Sequence, residues 1–188
     1  MSMFKAKVLL LGPMESGKTV LANFLCKATE VTNISPTVGV RIMEFEQPMI
    51  LDGRNTVADI ELWDCSGDHR YESCWAAFSK DANGIIFVYN PDRANHNKEL
   101  EELLAYFLPQ TGLTTNHCFC VSNVRAEAYN APVRSELPPS FQNIQCIEAN
   151  LESSSEDLRE QLETFLVTVL VAMTDKRDQE ELSIMNKR

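Results

Sequence analysis

The chain has 188 residues, enough for one domain with a full core, and 44% of them are hydrophobic with only 7 Gly and 8 Pro. That balance excludes disordered, collagenous and low-complexity classes. Acidic residues outnumber basic ones 27 to 17, for a formal net charge of -10, so the surface as a whole has no electrostatic reason to bind nucleic acid or an anionic bilayer.

In chain order, residues 8–11 form a continuous apolar run that stops at Gly12, the pattern of a strand buried on both faces. Val20, Leu21, Phe24 and Leu25 then fall on one helical face within residues 17–28. Alternation over 41–46 and again over 57–64 predicts two strands, and the polar stretch 48–55 with its proline predicts the turn of an edge hairpin. Residues 85–89 (IIFVY) read as a buried strand and 98–108 as an acidic amphipathic helix whose Glu99, Glu101 and Glu102 face solvent. Strands are expected at 118–121 and 144–149. Ser153 to Glu156 reads as a capping box for a terminal helix with Leu158, Leu162, Phe165, Leu166, Val169 and Met173 on its buried face. Residues 125–139 are the one long irregular stretch. Alternating strands and helices predict a mainly parallel sheet covered on both faces.

Six cysteines are scattered without a C-x-x-C pair, and three histidines stand at no metal-ligand spacing. Buried, reduced thiols in an intracellular protein are the expectation. The N-terminus lacks the apolar length of a signal peptide, and the longest apolar stretch, 165–173, is too short to span a bilayer.

Gly12-Pro13-Met14-Glu15-Ser16-Gly17-Lys18-Thr19 fits G-x-x-x-x-G-K-[ST] between a buried strand and a helix. Such a loop turns backbone amides toward a phosphate, the lysine neutralises the β and γ phosphates, and the hydroxyl ligates Mg2+. The following helix N-terminus also favours anions. Asp64 leaves a strand in Trp63-Asp64-Cys65-Ser66-Gly67, where it can hold Mg2+ through water while the Gly67 amide meets a γ-phosphate. Thr37, in Pro36-Thr37-Val38-Gly39, offers a further hydroxyl.

These residues, in this order, resemble the Ras-like small GTPases. The Rab branch is the most similar, and within it the Rab-like subunits of intraflagellar transport complex B. The finer likeness lies in GPMESGKTVLANFLC, SPTVGVRIMEFE, ELWDCSGDHRYESCW and RDQEELSIMNKR. It covers nearly the whole chain and implies an α/β fold, a Ras-like G domain with a six-stranded, mostly parallel sheet and five helices on its two faces. That domain is expected over 1–175, with a short tail over 176–188. The resemblance implies GTP/GDP and Mg2+ as ligands. Nucleotide contacts fall on Gly12, Pro13, Met14, Glu15, Ser16, Gly17, Lys18, Thr19, Thr37, Gly67, Asn123, Arg125 and Asn150, and metal contacts on Thr19, Thr37 and Asp64. It further implies a protein that is monomeric alone, docks on coiled-coil subunits of the complex for cilium assembly, and resides in cytoplasm, cilium and basal body.

Departures from the family pattern limit the implied enzymology. Asp68 stands where the family has a Gln that orients the attacking water, and a shorter, negative side chain beside a γ-phosphate should position water poorly. Hydrolysis is therefore expected to be very slow or absent. Met14 and Glu15 are bulkier than their usual counterparts and could crowd an incoming arginine finger. The N-K-x-D guanine motif is reduced to Asn123-Val124-Arg125-Ala126, and the S-A-K loop is only loosely represented by Ala149-Asn150-Leu151, which implies modest affinity and relaxed base specificity. The C-terminus carries no prenylatable cysteine and residue 2 is Ser, so no lipid anchor is expected.

Tyr71, Trp75 and Phe78 follow the WDxxG loop at helical spacing and read equally as a partner-binding face or as core. An active switch that hydrolyses GTP with an activating protein is the alternative function. A small-molecule kinase would need an arginine-rich lid that the sequence lacks. A pseudo-GTPase with an empty site is opposed by the intact Lys18, Thr19, Thr37 and Asp64.

Overall fold

A computed structural model describes residues 4–27, 35–51, 53–124, 136–151 and 156–185. Its six strands are β1 (Phe4–Leu11), β2 (Val40–Leu51), β3 (Arg54–Cys65), β4 (Gly84–Tyr89), β5 (Cys118–Asn123) and β6 (Gln145–Ala149). They form one sheet in the order β2-β3-β1-β4-β5-β6, parallel throughout except for the antiparallel β2–β3 pair. Among the described residues there are four α-helices: α1 (Lys18–Leu25), α2 (Trp75–Ser79), α3 (His96–Thr111) and α4 (Glu156–Met185). Three 3-10 turns accompany them, of which His69–Cys74 leads into α2.

Burial follows strand position. Ala6, Val8, Leu9, Leu10 and Leu11 of central β1 are all buried, as are all six residues of β4 and of β5. One face of the sheet packs Leu10, Ile60 and Phe119 against Leu21 of α1 and Leu162, Phe165, Leu166 and Val169 of α4. The other packs Leu9, Ile85 and Phe87 against Phe78 of α2 and Leu100, Leu104 and Phe107 of α3. Each such fully buried large apolar side chain contributes about 1.5–3 kcal/mol. Both layers serve to hold the C-terminal strand ends, where the loops converge.

The expected turn over 48–55 is corrected. β2 continues to Leu51, with Pro48 opposite Val57 and Leu51 opposite Arg54, so residues 48–51 and 54–55 are paired strand and not turn. The physical reason is topological: β2 is the sheet edge, and an edge strand tolerates a proline that would remove a ladder donor in a central strand. Ser153 to Ser155 of the expected capping box lie outside the described residues, though helix α4 does begin at Glu156. That helix runs 30 residues, about 45 Å, and continues through 176–185. Leu182, Ile184 and Met185 are exposed on this distal part. No helix among the described residues is long and apolar enough to cross a membrane.

Candidate nucleotide-binding site

Leaving β1, residues 12–17 fold tightly over the sheet end, with Glu15 and Gly17 both in left-handed backbone at φ 60° and 101°. Gly67 fixes the other wall of this loop. A Cβ there would stand 2.5 Å from the Gly12 carbonyl oxygen and 2.6 Å from the Met14 amide nitrogen, both backbone atoms. Gly67→Ala is therefore expected to push the loop aside while the two core layers remain intact. Nucleotide affinity should fall about five- to hundredfold, from a strain of about 1–3 kcal/mol. Titration with a fluorescent GDP analogue checks this, and unchanged affinity would show that the close approach plays no part in binding.

Lys18 is buried, and its Nζ donates to the carbonyl oxygens of Gly12 at 2.7 Å and Pro13 at 2.6 Å, with Ser16 Oγ at 3.5 Å. These partners are neutral, and no carboxylate among the described residues lies within ion-pair distance of it. Burial accordingly pushes the Lys18 amine down to about 8, against the weaker opposing pull of the Asp64 charge. A desolvated cation on neutral carbonyls inside an amide-lined loop is a site for an anion.

Asp64, the penultimate residue of β3, is fully buried. Its Oδ2 accepts from Thr19 Oγ1 at 2.9 Å and Thr37 Oγ1 at 3.5 Å, the two hydroxyls being 3.1 Å apart. Its Oδ1 is buried with no hydrogen-bond partner among the described residues, and burial raises the carboxyl above its ordinary range. Two hydroxyls and an under-satisfied carboxylate fit a hard divalent cation such as Mg2+, which binds through one or two carboxylates together with substrate phosphates. The described residues hold no cluster of three metal-binding side chains, so this set suits a metal that arrives with phosphates.

Asp68 is engaged elsewhere. Its Oδ1 accepts the Arg70 amide at 2.9 Å, capping the 3-10 turn, and its Oδ2 accepts Arg70 Nε at 2.8 Å and Nη2 at 2.6 Å. The Arg70 side chain holds the carboxyl below its ordinary range. Next to it, His69 pairs with Glu72.

Asn123, at the end of β5, is buried and links two loops. Its Nδ2 donates to the Ser16 carbonyl at 3.0 Å, and its Oδ1 accepts the Leu151 amide at 3.4 Å. Gly17 packs against the same amide group, since a Cβ there would come within 2.3 Å of Asn123 Nδ2. Val124 is buried beside it and Asn150 is half-buried in the loop after β6. Arg125 lies outside the described residues. Trp75 and Phe78 point inward: Trp75 packs on Tyr106 and Phe107 at ring separations of 5.0 and 5.3 Å, and buried Phe78 meets Trp63 edge-on. Tyr71 stays half-buried near Gly39.

Comparison with known proteins agrees with this geometry. The profile of the family described as Ras of Complex, Roc, domain of DAPkinase matches residues 7–123. Over 184 residues the chain is 40% identical to the intraflagellar transport protein 22 homolog of Homo sapiens, covering 97% of this chain and 100% of that protein. The chain belongs to the intraflagellar transport protein 22 family. The Danio rerio homolog is likewise 40% identical over 186 residues. Intraflagellar transport associated protein 2 of Caenorhabditis elegans is 28% identical over 212 residues, covering 94% of this chain and 82% of that protein. The GTP-bound crystal structure of T. brucei IFT22/74/81 superposes with a TM-score of 0.72 at 26% identity, covering 92% and 98% of the two chains. GDP-bound T. brucei IFT22 gives 0.65 at 27%, covering 89% and 97%.

In this member of the intraflagellar transport protein 22 family, three side chains at the site went unread in the sequence. Arg41 faces Asp64 across the hairpin, its Nη2 3.5 Å from Oδ2 and 2.8 Å from Asn23 Oδ1. Arg93 reaches Glu15 in the phosphate loop at 2.5 Å. His96 is buried at the start of α3, where its Nδ1 accepts the Asn90 amide at 3.0 Å and a further hydrogen bond joins it to the Met14 backbone. Burial pushes its imidazole down to about 4, so it supports the loop in neutral form. Only the register pairing of Arg41 with Asp64 leaves a signal in the sequence, and that becomes readable once the hairpin turn is placed correctly.

Proposed function

We propose that this chain is a guanine-nucleotide-binding subunit of an intraflagellar transport assembly, which binds GTP or GDP with Mg2+ and hydrolyses GTP slowly or not at all. The buried Lys18, held on neutral carbonyl oxygens, carries the reading. Around it, residues 12–17 and Gly67 shape a phosphate cradle, while Thr19, Thr37 and Asp64 would hold Mg2+, which neutralises phosphate charge when bound. Asn123 keeps the phosphate loop and the Ala149–Leu151 loop in one arrangement around the nucleoside end. The GTP- and GDP-bound structures of T. brucei relatives support guanine nucleotides as the ligands despite the loss of N-K-x-D.

A second part of the proposal is docking on coiled-coil subunits, in cytoplasm, basal body and cilium, by a protein that is monomeric alone. The relative crystallised as IFT22/74/81 supports such partners. So does one face of the β2–β3 hairpin, along which Ile42, Ile50 and Val57 are exposed.

Slow hydrolysis follows from Asp68, whose carboxylate is committed to Arg70 and carries charge of the wrong sign beside a γ-phosphate. Single-turnover GTP hydrolysis by wild type should be barely above the uncatalysed rate, and Asp68→Gln should raise it by roughly an order of magnitude. Ready hydrolysis by the wild-type protein would sink this part of the reading.

A further inference from the structure

Away from the phosphate loop, Cys120 of β5 and Cys146 of β6 stand directly opposite in the parallel register. Register partners share a sheet face, and neighbouring strands lie about 4.8 Å apart. That spacing falls within the roughly 4.4–6.8 Å between Cα atoms that a disulfide bridges. The pairing with Cys120 holds the Cys146 thiol below its ordinary range and, together with burial, raises Cys120. Exposure divides the pair in the same sense, with Cys120 buried and Cys146 exposed on the edge strand. Cys65, Cys118 and Cys26 differ, since burial pushes the first two up to about 12 and Cys26 up to about 11.

We propose that Cys146 and Cys120 form a peroxide-reactive pair, Cys146 attacking and Cys120 resolving. The Cys146 thiolate attacks one oxygen of hydrogen peroxide and the O–O bond breaks. Hydroxide leaves and takes up a proton as water, while the sulfur is oxidised to a sulfenic acid. The Cys120 sulfur then attacks the Cys146 sulfur, the S–O bond breaks, and a second water carries off the hydroxide and the Cys120 proton. Two thiols and one peroxide thus give one disulfide and two waters. The bond ties the edge strand β6 to β5 beside the Asn123 and Ala149 strand ends. The proposal stands independently of which nucleotide the protein binds.

Peptide mapping of the full-length reduced protein after brief exposure to hydrogen peroxide tests it. A Cys120–Cys146 linkage should be the first disulfide to appear, and in Cys120→Ser the Cys146 sulfenic acid should persist and be trapped by dimedone. Before oxidation, iodoacetamide should label Cys146 at least roughly tenfold faster than Cys26 in the folded protein. Oxidation that produces a different linkage, or none, overturns the proposal, as does labelling of Cys26 at the rate of Cys146.

Discussion

Lys18→Ala is expected to lower nucleotide affinity by about a hundredfold or more while the protein stays folded. The amine sits at the end of a buried side chain, held only by the Gly12 and Pro13 carbonyls and Ser16. Removing one partner of a buried, hydrogen-bonded charge pair costs about 2–5 kcal/mol, which is roughly 30- to several-thousand-fold in affinity. Fluorescent GDP titration reads the loss. Lys18→Met, which keeps the side-chain volume, should leave the thermal midpoint of the nucleotide-free protein unchanged or higher, because it deletes a desolvated charge without a counterion.

The same lysine sets a pH signature. Its amine falls from 10.5 to about 8 in the folded protein, so the native state binds its proton less tightly than the unfolded chain. Below about pH 8 both states are protonated and the burial penalty is fully present. As pH rises from there toward 10.5, the native state sheds its proton first and nucleotide-free stability increases. A bound phosphate wants the charged form, so affinity should fall by up to about tenfold per pH unit above 8. Lys18→Met should abolish both trends, and a wild-type affinity that stays flat from pH 7 to 9.5 would contradict the assignment.

Asn123→Ala is expected to act on stability and on nucleotide release together. The change strands the Ser16 carbonyl and the Leu151 amide in a buried setting. Each orphaned group costs about 1–3 kcal/mol, so a lower denaturation midpoint is expected. Freeing the phosphate loop from the loop after β6 should also raise the nucleotide dissociation rate roughly tenfold. Stopped-flow release of a fluorescent nucleotide separates this from a purely structural role: a lowered midpoint with an unchanged release rate would reduce Asn123 to a packing residue. Its contacts join the phosphate loop to the loop after β6.

Much of this was readable in advance because local chemistry dictates it. Gly12 and Gly17 mark a loop that no side chain would fit, the apolar runs of β1, β4 and β5 can only be central strands, and Asp64 leaves a strand where Thr19 and Thr37 can meet it. The misplaced hairpin turn has a specific cause, since Pro48 reads as a break unless the strand is known to be an edge, and edge position depends on sheet order. Arg93 and His96 were out of reach for a different reason. Their partners Glu15 and Met14 lie some 80 residues earlier, and only the packing of α3 beside β1 and β4 brings them together. Arg70 could be counted from the sequence, but that it occupies both Asp68 oxygens depends on the 3-10 conformation of the intervening turn.

The most direct test of the central claim is to purify the protein without added nucleotide, denature it, and identify by chromatography what it releases. The account predicts GDP or GTP from the wild-type protein and none from Lys18→Ala. Recovery of ATP, or equal recovery from both proteins, would contradict it.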